Sequence, residues 1–474
     1  MNVTDKEIKY SQLQFNFEDS PQEDNAEHES NAGVYESLKI TENNITNRFV
    51  VKDRLLEKIV DKENFRVALK RVINNKGAHG IDGMKVDELR AYLNENWETL
   101  KQSILDGTYH PNPVRRVEIP KDNGKVRKLG IPTAIDRVIQ QAIAQVLSPI
   151  YEPLFSNNSF GFRPKRNAHQ AIRKCQEYIQ EGYKYAVDMD LEKYFDTVNQ
   201  SKLIEVVSRT IKDGRVISLI HKYLRSGVII KNTFEETVEG FSQGGNLSPL
   251  LSNVMLNELD QLLEKRGHKF ARYADDLMIY CKSKRSAVRV MDNTISYVEN
   301  KLFLKVNRDK TSVDLAIRLK FLGFSFYNSK KGVRVRIHPK SVTKMKAKVK
   351  ELSGRSFGIS NDERPVKLRR FIMGWINYFK IADMKAMLMK TDEWMRRRIR
   401  MIYWKQWKKV RTRFKNLGLL GIEESKAWEF ANTRKGFWRI SNSPILARSL
   451  TNDVLKKLNY INLLDYYNYV LSVN

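Results

Sequence analysis

Only two cysteines, Cys175 and Cys281, occur in 474 residues, and neither belongs to a Cys-x-x-Cys or Cys/His cluster. A disulfide framework and a structural zinc are excluded on that pattern, and a cytoplasmic, reducing location is expected. No apolar run approaches the roughly eighteen residues of a membrane-spanning helix, so no membrane partner is expected. The N-terminus lacks the apolar core of a signal peptide, since Met1 is followed closely by Asp5, Lys6 and Glu7. Acidic residues are in short supply: 55 Asp and Glu stand against 84 Lys and Arg, a formal net charge of +29. Solubility alone needs far less charge, and a polyanionic partner is the reading this excess supports. With 41% hydrophobic residues and this length, the chain has material for about three domains with cores.

Residues 1–50 are polar and locally acidic, with few aliphatics, which fits a flexible extension. Helical patterning runs through residues 55–100, broken by Lys76-Gly77-Ala78-His79-Gly80-Ile81-Asp82-Gly83, whose three glycines mark a loop. Residues 115–120 and 126–129 read as two strands around the turn Lys121-Asp122-Asn123-Gly124. Helices are expected over residues 134–150, 168–180, 202–225 and 287–302, and residues 321–326 read as a further strand pair. Beyond Pro339 the spacing turns helical and basic. This last region holds Trp375, Trp394, Trp404, Trp407, Trp428 and Trp438, which suit core anchors better than base-stacking platforms. Among them lie Arg396, Arg397, Arg398, Arg400, Lys405, Lys408, Lys409, Arg411 and Arg413, with no acid between Glu393 and Glu423. A solvated helix face would mix signs; this run reads as a nucleic-acid backbone contact.

The chemistry concentrates at Tyr273-Ala274-Asp275-Asp276, flanked by Phe270-Ala271-Arg272 and Leu277-Met278-Ile279-Tyr280. Apolar flanks rich in aromatic and branched residues favour a buried hairpin, and such a hairpin rejects two adjacent carboxylates unless a cation compensates them. Oxygen ligands are those magnesium prefers. A second acidic segment, residues 185–191, alternates so that Val187, Met189 and Leu191 share one face and Asp188 and Asp190 the other. Two such strands can converge on a pair of metals about 3.5 to 4 Å apart, the arrangement that supports nucleotidyl transfer.

Taken in order, nine motifs resemble the reverse transcriptase/maturase proteins encoded within bacterial group II introns, in their compact form without an endonuclease domain. They are Lys76-Gly77 through Gly83; Ile119-Pro120-Lys121 with Arg127-Lys128-Leu129-Gly130-Ile131-Pro132; Ser159-Phe160-Gly161-Phe162-Arg163-Pro164; and Asp190-Leu191-Glu192-Lys193-Tyr194-Phe195-Asp196. Next come Gln243-Gly244-Gly245 with Leu247-Ser248-Pro249, then Tyr273 through Asp276, Leu304-Lys305-Val306-Asn307 with Lys310, Phe321 through Phe324, and Gly374-Trp375-Ile376-Asn377-Tyr378-Phe379. The resemblance implies an α/β right-hand polymerase, its fingers and palm built on antiparallel sheet, followed by an all-α thumb/maturase domain. It divides the chain into the extension at 1–50, a helical N-terminal reverse-transcriptase extension at 51–100, fingers and palm at 101–335, and a basic thumb/maturase domain at 336–474.

The same resemblance implies roles. Asp190, Asp275 and Asp276 match the polymerase carboxylates that hold two Mg2+ ions, with Mn2+ as a substitute; Phe195 matches the ring that excludes a ribose 2′-hydroxyl. Lys121 and Arg127 match the triphosphate clamp, Gln243 the loop beside the templating pair, and Lys310 a lysine proposed as general acid to the leaving pyrophosphate. Arg163 and Arg166 fall in a motif expected to contact nucleic acid. Implied partners are group II intron RNA, an RNA template with a DNA primer, deoxynucleoside triphosphates and target DNA; the sequence sets no oligomeric state. Two departures stand out: Ser242 where the family usually has proline, and Asn167 where serine is common. The implied function is copying intron RNA into DNA together with RNA binding that promotes splicing and mobility. Rival readings are a domesticated relative in phage defence or DNA repair, and a splicing-only maturase.

Overall fold

The computed structural model describes residues 54–473 except 121–123, 125, 232 and 357. The extension at 1–50 and the clamp candidate Lys121 lie outside the described residues. Two compact units emerge. One takes the described residues up to Cys175 together with Tyr183–Asp314, and the other takes Gln176–Gly182 and the described residues from Leu315 onward.

The first unit opens with helices α1 (Leu55–Ile59), α2 (Lys62–Asn74) and α3 (Leu89–Leu105). Strands β1 (Val114–Pro120) and β2 (Val126–Ile131) then pair antiparallel, with Val117 opposite Leu129. Helix α4 (Ala134–Tyr151) starts where the Thr133 hydroxyl accepts from the Asp136 amide, and it is buried along most of its length. Helix α5 (Ala168–Gln180) leads to β3 (Tyr185–Met189), followed by α6 (Tyr194–Thr197), α7 (Gln200–Thr210) and α8 (Gly214–Leu224). The single helix expected over 202–225 is therefore two. Asp213 explains the break: its carboxylate accepts from the Arg215 amide, capping α8, and from the Leu56 amide, which ties the new start to α1. Strands β4 (Val228–Ile230) and β5 (Thr233–Glu235) complete a sheet of order β2-β1-β4-β5.

The palm-like part follows as α9 (Ser248–Lys265), β6 (Lys269–Tyr273), β7 (Asp276–Cys281), α10 (Lys284–Asn300) and β8 (Ser312–Leu315), with sheet order β6-β7-β3-β8. The core beneath it gathers apolar side chains from α1 through Val306. Every residue of β7 after Asp276 is buried, which is why this strand reads as a continuous apolar run rather than an alternating one.

The second unit begins with β9 (Phe324–Ser329) and β10 (Gly332–Ile337), an antiparallel hairpin with Phe326 opposite Val335. This corrects the strand pair expected within 321–326, where Leu322 and Gly323 form a turn closed by Phe321 and Phe324. The hairpin packs in this unit because Phe324 meets the rings of Tyr378 and Phe379 at 5.6 and 4.9 Å, whereas the sequence groups residues up to 335 with the palm. Helices fill the remainder: α11 (Pro339–Leu352), α12 (Glu363–Phe379), α13 (Lys385–Gln406), α14 (Val410–Leu419), α15 (Glu424–Ala431), α16 (Phe437–Ile440), α17 (Pro444–Ser449), α18 (Asn452–Lys457) and α19 (Leu463–Val473). Buried Asp392 on α13 accepts from the Leu463 and Leu464 amides and so caps α19. Among the described residues no helix is long and apolar enough to cross a membrane.

Candidate active site

Strands β6 and β7 are joined by a two-residue turn, Ala274-Asp275, with Tyr273 paired to Asp276. Ala274 sits at φ 57°, a left-handed conformation that a side-chain-bearing residue adopts only when its surroundings enforce it. Those surroundings are specific. The Arg272 side chain is 1% exposed, and its Nε and Nη2 bind the Asp260 carboxylate of α9 at 2.8 and 2.5 Å. Its Nη1 donates both to the Ala274 carbonyl at 2.9 Å and to Asn253 Oδ1 at 3.0 Å. Asn253 and Asp260, seven residues apart on one face of α9, thus hold the turn through one guanidinium. Burial pushes the Asp260 carboxyl up, and the hydrogen bonds and charge of Arg272 oppose that shift.

A loop braces the turn from the other side. The Arg272 amide donates to Asn158 O and the Phe160 amide to Arg272 O, both at 2.9 Å, while Asn253 Nδ2 donates to Gly161 O at 2.9 Å. A Cβ on Gly161 would lie 2.3 Å from the Ala274 nitrogen and 2.8 Å from the Tyr273 carbonyl carbon, so only glycine allows this approach. Gly161→Ala is expected to displace the turn at a cost of about 1 to 3 kcal/mol. Measured by primer extension alongside thermal unfolding, it should lower synthesis far more than it lowers the unfolding temperature; unchanged synthesis would show that the loop does not position the turn.

Asp190 follows directly on β3, and continuing the β3–β7 register by one residue sets it opposite Asp276. Three groups from the segment before β8 hold it. Lys310 Nζ donates to both carboxylate oxygens at 3.0 Å, the Asp190 amide donates to Thr311 Oγ1 at 3.2 Å, and the Asn307 amide donates to Asp190 O at 2.9 Å. Asp275 is half-buried. Burial and, less strongly, the Asp190 carboxylate push its carboxyl above the usual carboxylate range, while a hydrogen bond to its own backbone and then the charges of Arg127 and Arg272 pull it back. The fold therefore sets Asp275 where it feels the charges of Asp190 and Arg127, and Lys310 on the Asp190 carboxylate, with exposed Asp276 at the start of β7.

Among the described residues no three His, Cys, Asp or Glu side chains form a ready-made metal cage. A polymerase-type site does not require one, because magnesium keeps waters and completes its shell with substrate phosphates around one or two carboxylates. The donor set fits: all the groups are hard carboxylate oxygens, and Lys310 shows that a cation sits well against Asp190.

Phe195 is half-buried, edge-on to Tyr194 and Phe241 at 5.3 Å each, and its carbonyl accepts from the Phe241 amide at 2.8 Å. Gln243 lies in a loop docked on β2, its carbonyl accepting from the Gly130 amide at 2.9 Å. The approach depends on Gly244, at φ 127° with its would-be Cβ 2.8 Å from Gly130 O. The Ser242 carbonyl accepts from the Ser248 hydroxyl at 2.8 Å, tying this loop to the start of α9.

The two arginines of the Phe-Gly-Phe-Arg motif brace the loop behind the turn. Arg163 is 7% exposed, paired with Glu152 at 2.7 Å and donating to the Ser156 and Ser159 carbonyls. Arg166 donates to Asn157 and lies over the Phe160 ring. In the second unit many cations of the basic run are helix-end ligands. Arg398 donates to Lys350 O and Ser353 O at the end of α11, Arg400 to Leu450 O after α17, Arg413 to Ala431 O at the end of α15, and Lys405 to Arg355 O. Arg397 stacks 3.9 Å over Trp438 and donates to its carbonyl. Arg396 is half-buried, and Lys408, Lys409 and Arg411 are exposed. Trp404 and Trp407 are buried edge-to-face at 6.0 Å, whereas Trp428 and Trp438 are 53% and 39% exposed.

Sequence reasoning missed Asp260, Asn253 and Thr311. Asp260 carried a legible signal, an acid on the apolar stripe of α9 among Leu256, Leu259 and Leu263, which demands a buried cation.

A carboxylate hairpin beside a carboxylate-ending strand, carried on a sheet backed by helices, is the palm arrangement of a polymerase. Two family matches specify it further: reverse transcriptase (RNA-dependent DNA polymerase) over residues 119–326, and the group II intron maturase-specific domain over residues 342–418. The chain is 35% identical over 300 residues to Protein YkfC of Escherichia coli (strain K12), covering 55% of this chain and 79% of that protein. It is 37% identical over 235 residues to the group II intron-encoded protein LtrA of Lactococcus lactis subsp. cremoris, covering 49% of this chain and 39% of LtrA. The putative COX1/OXI3 intron 2 protein of Saccharomyces cerevisiae is 33% identical over 232 residues, 48% of this chain and 27% of that protein. The chain belongs to the group II intron reverse transcriptase/maturase family. Its enzymatic class is RNA-directed DNA polymerase, a class that uses divalent metal ions.

Proposed function

We propose that this protein copies group II intron RNA into DNA from a DNA primer, and that it binds the same intron RNA to promote splicing and mobility at a target DNA. The observation that carries the first part is the strand register that sets Asp190 opposite Asp276, next to the Asp275 turn, with Lys310 on the Asp190 carboxylate. Asp190 and Asp275 would hold two Mg2+ ions, with Mn2+ a substitute and Asp276 a weaker ligand. When bound, the ions supply Lewis acidity to the primer hydroxyl and the triphosphate. The protein's own groups do the rest. Arg127 and Lys121 bind and orient the triphosphate, Phe195 packs under the sugar, Gln243 lies beside the templating pair, and Lys310 exchanges its contact with Asp190 for proton delivery toward the leaving pyrophosphate.

Residues 51–100 then serve as the N-terminal extension, 101–314 as fingers and palm, and the β9–β10 hairpin with the helices after it as the thumb/maturase region, working in the cytoplasm. Arg163, Arg166 and the cations from Arg396 to Arg413 support nucleic-acid binding in part by shaping the surface and in part, at Lys408, Lys409 and Arg411, by direct exposure. Phe195→Ala tests the sugar gate. The ratio of ribonucleotide to deoxyribonucleotide incorporation, measured as kcat/KM, should rise on the order of tenfold or more. An unchanged ratio would assign Phe195 to packing against Tyr194 and Phe241 alone.

A further inference from the structure

At the end of the palm sheet away from the aspartates, the chain presents a cluster of exposed cations. Lys265 and Arg266 close α9, Lys282 follows β7, and Lys284, Arg285 and Arg289 lie on α10. Five residue steps along β7 separate Asp276 from Cys281, about 17 Å of strand, so the cluster is remote from the catalytic turn. Cations outnumber acids here, with Asp292 the acid beside Lys284, Arg285 and Arg289. Elsewhere on this unit several surface arginines pair with acids: Arg66 with Glu63, Arg209 with Glu205 and Glu258, Arg215 with Glu57, Arg225 with Glu236, and Arg308 with Glu299. None of the six clustered cations has an acid within ion-pair distance among the described residues.

Lys284, Arg285, Val288, Arg289, Asp292 and Asn293 line a shallow hollow of about 660 Å³ on the outer face of α10. The local field is positive: after burial, Arg266 and Arg289 both hold the neighbouring His268 below its usual range. Concentrated like charge opposes folding, and an external polyanion relieves it. A lipid surface fits poorly, because the apolar face of α10 (Ala287, Val290, Ile295, Val298) is buried and Val288 is the large apolar side chain in the hollow. We propose that this cluster is a second nucleic-acid contact, binding the phosphate backbone of folded intron RNA outside the catalytic cleft. The choice of RNA rests on the function proposed above; the polyanion chemistry does not.

The test is the full-length triple variant Lys284→Gln, Arg285→Gln, Arg289→Gln, probed with a long RNA duplex whose 3′ ends are blocked. Each phosphate that is no longer neutralised takes about 0.9 off the slope of log affinity against log salt, so the slope should become shallower by about 2 to 3, with affinity near 0.15 M salt down on the order of a hundredfold. Extension of a saturating short primer–template should be unchanged. Adding Lys265→Gln and Arg266→Gln should flatten the slope by a further 1 to 2, about one phosphate per cation. Unchanged slope and affinity in the triple variant would overturn the proposal. So would loss of binding to anionic phospholipid vesicles with RNA binding intact. Failure of the wild type to extend any primer would count against the polymerase reading and leave this RNA-binding surface standing.

Discussion

Arg272→Leu is expected to destabilise the protein by about 3 to 5 kcal/mol, because it leaves the Asp260 carboxylate buried without its cation. Denaturant unfolding measures this directly. The double variant Arg272→Met, Asp260→Leu removes both charges, and most of the stability should return, since well-packed apolar replacements of buried ion pairs are often neutral or better. DNA synthesis should not return with it. The Ala274 carbonyl and Asn253 Oδ1 still lack their donor, so the left-handed turn that presents Asp275 loses its restraint. A double variant that recovers both stability and synthesis would reduce Arg272 to a core ion pair.

Asp275→Ala should lower DNA synthesis by about a thousandfold or more, given the several kcal/mol that metal-held charge contributes to such transfers. RNA binding and splicing should persist, including in the double variant with Asp276→Ala, because phosphate neutralisation needs no carboxylate. Asp275→Asn carries a further signature. The folded state holds this carboxyl above its usual range, so its charge is disfavoured on folding. In chelator the Asn variant should therefore unfold at a higher temperature than the wild type at neutral pH. That gain should shrink as pH falls through the raised value and vanish below the ordinary carboxylate range, where the wild-type carboxyl is protonated folded and unfolded alike. A variant less stable than the wild type in chelator would contradict the electrostatic picture of the site.

The carboxylate hairpin was legible because two acids interrupt an apolar run that is buried through the middle of both strands, and Asp190 because its segment alternates apolar and acidic residues from Val187 to Leu191. Pro339 marked the start of the helical region because proline suits a first helical turn. The guanidinium of Arg272 stands in the same strand but is silent in the sequence, since its partners Asn253 and Asp260 lie 12 to 19 residues away on a helix. The basic run at 396–413 misled in a particular way. Sequence treats its cations as one solvated track, yet helix C-termini leave carbonyls unsatisfied, and Arg398, Arg400 and Arg413 reach them from 18 to 50 residues away. Periodicity cannot distinguish a cation bound to a distant carbonyl from one facing solvent. The exposed Trp428 and Trp438 escaped for the same reason, as their spacing says nothing about which helix covers them.

Primer extension on an RNA template with deoxynucleotides and magnesium, wild type against Asp275→Ala, tests the central claim most directly. Extension by the wild type that disappears in the variant is the expected result and establishes the polymerase and its carboxylate site together. A folded wild type that binds RNA but extends no primer would contradict it and leave a splicing-only maturase.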